Sequence, residues 1–246
     1  MNLKSFGDKL RIIVVGSSGG IGAALVQQLI DSPQVSRIHA LSRSGRSHPS
    51  PKVSNLTFDF TDEDSLIAAT QALQEVGPFD IILVSTGLLQ GDGISPEKNM
   101  RAMSHEGFAK SFEINAIGPA MTAKYLVPLL RRDKKAVFAA LSARVGSISD
   151  NRLGGWYAYR ASKSALNMLL KTLAIEISRR FKNQIIVGLH PGTVDTPLSK
   201  PFQGNVPEGK LFTPEFSAER LLCVIDSLTA AESGNLFDWA GERIEF

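Results

Sequence analysis

The chain alternates short, continuously apolar runs with longer stretches in which apolar residues return every three or four positions. Leu10–Val15 (LRIIVV) is apolar at nearly every position, as a strand covered on both faces must be. Helical spacing comes next, over Ile21–Ile30. Further strands are predicted at Arg37–Leu41, Leu56–Asp59, Asp80–Ser85, Ala136–Ser142, Gln184–His190 and Leu236–Trp239, which makes seven. Helices are predicted at Asp62–Val76, His105–Arg132, Trp156–Phe181 and Pro214–Leu228. Strands separated by helices of this length imply right-handed crossovers and a mainly parallel sheet. The expected fold is a doubly wound, three-layer α/β/α sandwich. No repeat or linker divides residues 1–246, so one domain is expected. Two irregular stretches, Leu88–Met100 and Pro197–Thr213, are long enough to serve as lids or binding loops.

Composition narrows the chemistry. Hydrophobic residues make up 43% of the 246 and charged residues 21%, which suits a globular domain with a sizeable core. A net charge of +3 gives no case for nucleic acid or an anionic membrane. Cys223 is the one cysteine, so neither an internal disulfide nor a cysteine metal site can form. The four histidines, His39, His48, His105 and His190, lack ligand-like spacing, and no metal is expected. No apolar stretch approaches ~18 residues, and the first residues lack the apolar core of a signal peptide, so the expected compartment is the cytoplasm.

The first candidate site lies between the first strand and the first helix. It reads Gly16-Ser17-Ser18-Gly19-Gly20-Ile21-Gly22, with glycines spaced Gly16-x-x-x-Gly20-x-Gly22. Glycines permit a sharp turn and close approach of the backbone to a pyrophosphate. The free N–H groups and positive end of the adjoining helix attract the phosphates. The second strand ends at Ser42-Arg43, where an NAD-binding chain carries an acidic residue for the adenosine ribose. Arg43 can hold a 2′-phosphate through paired hydrogen bonds, with Ser44 and Arg46 in support, so NADP(H) is expected over NAD(H).

The second candidate site is Tyr159-Arg160-Ala161-Ser162-Lys163, at the start of a long predicted helix. Tyr159 and Lys163 are one turn apart on one face. An ammonium beside a phenol favours phenolate, which would bring Tyr159 towards use as an acid and base near neutral pH.

Taken in order, Gly16-x-x-x-Gly20-x-Gly22, Ser85-Thr86-Gly87, Asn115, Tyr159-x-x-x-Lys163 and Pro191-Gly192-x-x-x-Thr196 resemble the short-chain dehydrogenases/reductases. The stretches Gly154–Asn167 and Ser95–Lys98 are similar to the C-factor and sniffer-type carbonyl reductase branch of that family. The resemblance spans nearly the whole chain and implies a Rossmann-type fold. It further implies that Asp59 lies near the adenine and that Ser85, Thr86 and Gly87 stand behind the cofactor. Pro191, Gly192, Val194 and Thr196 would border the nicotinamide, and Lys163 would bind the nicotinamide ribose. Asn115 would hold a water that passes protons to Lys163.

One position departs from the family pattern. Its active-site serine lies three residues before a glycine, and counting back from Gly146 reaches Ala143. Ser142 stands next to that place and is the candidate donor, with Ser147 slightly further on. Either one of them substitutes, or turnover is slow, or it is lost.

The expected activity is hydride transfer between NADP(H) and a small carbonyl or alcohol (class EC 1.1.1), with Pro197–Thr213 closing over the substrate. The alternative is a weakly active or inactive NADP(H)-binding protein with a signalling or regulatory role. A sugar-nucleotide epimerase would need a longer C-terminal substrate region. The resemblance also implies a homodimer or homotetramer packed through the two long helices.

Overall fold

The computed structural model describes residues 3–91 and 93–246. Ten strands are described in it. In chain order they are β1 (Leu10–Val15), β2 (Val35–Ser42), β3 (Val53–Thr57), β4 (Ile81–Val84), β5 (Ala136–Leu141), β6 (Gln184–His190), β7 (Thr193–Val194), β8 (Leu211–Phe212), β9 (Leu236–Asp238) and β10 (Arg243–Ile244). Eight of them form a central sheet in the order β10-β9-β6-β5-β4-β1-β2-β3. The other two, β7 and β8, pair with each other as a separate parallel ribbon. In the central sheet only the β9–β10 pairing is antiparallel among the strands described.

Both faces of the sheet are covered, which explains the unbroken apolar runs. Leu10, Ile12 and Val14 point into a core completed by α1 (Gly20–Asp31) and α6 (Pro214–Ser227). Ile13 and Val15 point into a second core under α2 (Glu63–Gln74), α4 (Gly118–Leu126) and α5 (Tyr157–Ser178). A strand buried twice cannot show the polar alternation of a half-exposed one.

The doubly wound sandwich is the architecture expected, with three local corrections. β10, only two residues long, adds an eighth strand to the seven predicted; it carries too little pattern to be read locally. β3 starts and ends earlier than the predicted Leu56–Asp59, because its register on β2 runs from Ile38↔Val53 to Ser42↔Thr57. Asp59 then leaves the strand, its carboxylate accepting from the Thr61 N–H and hydroxyl at 3.0 and 2.7 Å. The predicted helix His105–Arg132 is helical over most of its length but not uniform. It runs through α3 (His105–Phe112), one wide π-turn (Glu113–Ile117), α4 and a 3₁₀ turn at Val127–Leu129. Such a wide turn commonly marks a functional position, and here it contains Asn115.

The chain crosses from β2 and β3 back to β4, which pairs with β1 on the other side. That reversal opens a crevice at the carboxyl ends of the strands, where open α/β sheets hold their ligands.

Candidate active site

A cleft of about 490 Å³ occupies this crevice. One end is formed by Ser18, Gly19, Gly20 and Ile21, and the other by Tyr159, Lys163, Leu198 and Phe202.

At the first end each glycine is required for its own reason. Gly16 has φ +80°, a conformation that side chains rarely adopt. A Cβ on Gly22 would lie 2.1 Å from the Gly16 carbonyl oxygen, and one on Gly20 would lie 2.8 Å from Thr196 Cγ2. No side chain caps α1 and no acidic residue sits in its first turn. The first-turn N–H groups therefore point into the cleft without an internal partner, and the helix end there is positive. This cradle fits a pyrophosphate. Ser17 and Ser85, both expected at the cofactor, have their hydroxyls tied to backbone: Ser17 donates to the Leu41 carbonyl at 3.1 Å and Ser85 to the Val15 carbonyl at 2.7 Å. They shape the loop, while Ser85, Thr86 and Gly87 also line the cleft. The Thr86 hydroxyl is buried with no partner, which leaves it available to a ligand.

Ser42 is buried at the end of β2 and its hydroxyl lies 3.4 Å from that of Ser44. Arg43 is exposed beside it. The Asp59 carboxyl is held below its usual range, first by its hydrogen bond from Thr61 and further by the Arg43 charge. Arg43 and Asp59 are therefore electrostatic neighbours just beyond the carboxyl ends of β2 and β3, outside the set of residues that line the cleft.

At the second end, Tyr159 and Lys163 leave the first turns of α5. Lys163 is buried and donates to the Leu141 carbonyl at 2.8 Å, with Nζ 5.9 Å from the Tyr159 ring centre. Burial pushes the Tyr159 phenol up to about 12 and the Lys163 ammonium down to about 7. The direction at Tyr159 is opposite to that expected from a neighbouring cation, and its cause is burial. The Trp156 ring stands edge-on to Tyr159 at 6.2 Å and to Phe202 at 5.1 Å.

Asn115 is fully buried in the π-turn. Its Oδ1 accepts from the Leu88 N–H and its Nδ2 donates to the Leu88 carbonyl, each at 2.8 Å, and Nδ2 also reaches the Ser162 hydroxyl at 3.1 Å. The side chain thus clamps the segment after Gly87 against α5. A Cβ on Gly87 would lie 3.7 Å from Asn115 Oδ1 and 3.8 Å from Lys163 Nζ, so these three residues converge.

The serine question has a geometric answer. Ala143 lines the cleft in the family's serine register. Ser142 also borders the cleft, but it is buried and donates its hydroxyl hydrogen to Asn167 Oδ1 at 2.6 Å. Ser147 points away, its hydroxyl donating to the Glu245 carbonyl in the C-terminal segment.

Beyond β6, Pro191 is fixed by the Ser217 hydroxyl, which donates to its carbonyl at 2.9 Å. Gly192 has φ +79°, and a Cβ there would lie 2.6 Å from the Phe212 ring. Val194 belongs to β7 and Thr196 comes two residues later; both line the cleft. The β7–β8 ribbon pins the two ends of the intervening loop, which carries Leu198, Phe202 and Val206 into the cleft. Sequence reasoning missed Trp156, Arg144 and His190 as cleft residues. Trp156 had a signal, an aromatic residue one turn before Tyr159 after two glycines. Arg144 and His190 adjoin Ala143 and Pro191, positions already singled out.

The profile of the short chain dehydrogenase family matches residues 11–206. The chain is 31% identical to the 1-hydroxy-2-glutathionyl-2-methyl-3-butene dehydrogenase of Rhodococcus sp. (strain AD45), over 91% of this chain and 93% of that protein. It is 32% identical to the C-signal of Myxococcus xanthus, over 68% of this chain and 93% of that one. In fold it is similar to the NADPH-bound carbonyl reductase from chicken fatty liver, with a TM-score of 0.84 at 21% identity, covering 99% and 97% of the two chains. The carbonyl reductase Sniffer of D. melanogaster gives 0.82 at 22% identity, covering 97% and 100%. The branch that the sequence resembles is thus represented among its relatives and fold neighbours. The matched profile and the two relatives, with Gly20, Ser85, Thr86, Gly87, Tyr159, Lys163, Pro191, Gly192 and Thr196 of the ordered motifs gathered around one cleft, lead to one assignment: the chain belongs to the short chain dehydrogenase family.

Proposed function

We propose that the chain is an NADP(H)-dependent oxidoreductase that moves a hydride between nicotinamide and a small carbonyl or alcohol, with Tyr159 as general acid and base. The observation that carries this reading is the shared cleft: uncapped first-turn N–H groups of α1 at one end, Tyr159 and Lys163 at the other. Bound NADPH would supply the hydride. The α1 start would hold its pyrophosphate, Arg43 with Ser42 its 2′-phosphate, and Thr86, Pro191, Gly192, Val194 and Thr196 the nicotinamide half. Ser17, Gly16 and Gly22 would act by shaping the loop, and Asp59 would border the adenine.

A phenol raised to about 12 stays protonated at neutral pH. It is then a donor to the oxygen of a carbonyl under reduction, since an alkoxide is more basic still. Lys163, lowered to about 7, changes charge in the working range and sets how readily the phenolate left behind is tolerated. Asn115 holds the loop and α5 together beside it, and would support the proton supply to Lys163. The apolar wall of Leu198, Phe202 and Val206 suits a small apolar or aromatic carbonyl.

A second reading is favoured by Ala143. With Ser142 bonded to Asn167 and Ser147 bonded to the C-terminal segment, neither serine hydroxyl is free to polarise a carbonyl oxygen. The chain would then bind NADP(H) and regulate or signal without rapid turnover. NADPH oxidation with aldehydes, dicarbonyls and quinones, in the parent and Tyr159→Phe, separates the two. Turnover lost in Tyr159→Phe supports the enzyme; tight NADPH binding without Tyr159-dependent turnover supports the second.

We also infer a homodimer or homotetramer. Met168, Leu169 and Ile175 on α5 and Ile117 before α4 leave an exposed apolar face on the two long helices. Sedimentation of the parent against Met168→Glu tests it; an unchanged mass in the variant overturns that face as the contact.

A further inference from the structure

The start of α5 carries Tyr159, yet it has no side-chain cap of its own. The N-cap position is Trp156, which cannot accept a backbone N–H. At five other helix or turn starts the local residue does the capping: Asp62 for α2, Asn99 for the short turn Met100–Ala102, Ser104 for α3, Thr213 for α6 and Thr229 for the short turn before β9. At α5 the cap comes from 61 positions earlier in the chain. The Glu97 carboxylate, 5% exposed, accepts the Ala158 N–H at 3.2 and 3.4 Å through its two oxygens. The Glu97 carbonyl also accepts the Trp156 N–H at 2.6 Å.

The backbone at this point is held in an uncommon shape. Gly154, Gly155 and Trp156 have φ +64°, +66° and +50° in succession. The third is the costly one, about 1 kcal/mol or more for a residue with a Cβ. A Cβ on Gly155 would lie 3.4 Å from the Glu97 carbonyl oxygen. The turn is therefore shaped against Glu97. A Cβ built on Gly107 would lie 3.9 Å from Glu97 Oε1, which places the carboxylate beside the first turn of α3 as well. A buried anion between the positive ends of two helices is in a favourable place.

The reacting group comes immediately after this grip. Ala158 precedes Tyr159, and the Trp156 ring bridges Tyr159 and Phe202 of the lid. We propose that Glu97 is a positioning residue: by gripping Trp156 and Ala158 it sets the placement of the Tyr159 phenol and the seat of the lid, touching neither substrate nor cofactor. The proposal rests on Tyr159 being the proton donor.

The test compares Glu97→Ala, Glu97→Gln and Glu97→Asp with Thr229→Ala, which removes a cap from a turn that adjoins β9, away from Tyr159. The readouts are kcat, KM for the best carbonyl substrate, NADPH affinity and Tm. Glu97→Ala is expected to lower kcat ~10- to 100-fold, the scale of a misplaced reacting group, with NADPH affinity changed less than about twofold. Glu97→Gln keeps an acceptor oxygen and is expected to recover most of kcat. Glu97→Asp, one methylene short, is expected to fall between them, and stands in for Glu97→Ala if that variant does not fold. Thr229→Ala is expected to lower Tm and leave kcat alone. Loss of kcat in Thr229→Ala at an equal Tm change, or unchanged kcat in both Glu97→Ala and Glu97→Asp, overturns the proposal. If the parent shows no Tyr159-dependent turnover, the catalytic reading fails by itself. The Glu97 grip is then read from Trp156 emission in a Trp239→Phe background. A spectrum unmoved by Glu97→Asp overturns it, and a shifted one upholds it.

Discussion

The two ends of the cleft are built by different means. The end formed by the β1–α1 loop is made almost entirely of main chain: glycines without a Cβ, carbonyls that hold the loop, and uncapped N–H groups at a helix start. The end around Tyr159 is made of side chains drawn from distant segments: Lys163 on the Leu141 carbonyl, Asn115 on Leu88, Ser142 on Asn167, and Glu97 beneath α5. The first is fixed by one short stretch of sequence and tolerates little change in size. The second depends on the whole domain, and a single exchange such as Ala143 alters its chemistry without altering its shape.

Four measurements bear on this contrast. The largest effect is expected at the side-chain end. Tyr159→Phe removes the proposed proton donor, and NADPH oxidation with a carbonyl should fall ~10²- to 10⁴-fold while NADPH binding persists. Equal turnover in the variant would remove Tyr159 from the chemistry. The next falls on the main-chain end. Gly22→Ala places a Cβ 2.1 Å from the Gly16 carbonyl oxygen, so the loop or helix must shift. Overpacking of this kind costs ~1–3 kcal/mol, and NADPH affinity measured by fluorescence should weaken ~5- to 150-fold. Affinity within twofold of the parent would show that the loop is not the cradle.

Ala143→Ser tests the opposite direction. A hydroxyl in that register should raise kcat ~10- to 100-fold, because one well-placed donor to a developing oxyanion is worth at least that much. No gain in steady-state assays would mean that carbonyl polarisation comes from another group. The smallest effect is in pH. The Lys163 ammonium is present below about 7 and lost above it, whereas the Tyr159 proton persists to about 12. Carbonyl reduction should therefore decline a few-fold as pH rises from ~6 to about 7.5, by the fraction of ammonium lost. A profile flat across that range would remove the Lys163 charge from the rate. Stability runs the other way: a lysine held below its ordinary value disfavours the folded chain while the group is charged in the unfolded chain, and this penalty fades as pH rises from about 7 towards 10.5.

The difference between the two ends also governed what could be read from sequence. The β1 run, the glycine spacing and the Tyr159–Lys163 turn were legible because each is local and periodic. β1 and β6 have the predicted bounds, Leu10–Val15 and Gln184–His190. β3 was misplaced because its register is set by β2, and β10 was missed because two residues show no period. Asn115 was found through a motif, but the π-turn that turns it inward leaves no separate mark. Glu97 lies in a family-like stretch, Ser95–Lys98, that by itself assigns it no role. Its partner lies 61 positions away, and such a contact exists only once the chain has folded.

The ribbon of β7 with β8 has a consequence for how this scaffold can vary. It is two residues deep on each side and closes the loop from Asp195 to Lys210 like a clasp. Chain added inside a clasp alters only the entropy of the enclosed coil, about 0.6 kcal/mol for each doubling of length. This wall of the cleft can therefore grow or shrink at small cost in folding free energy, while the central sheet and α5 keep their places.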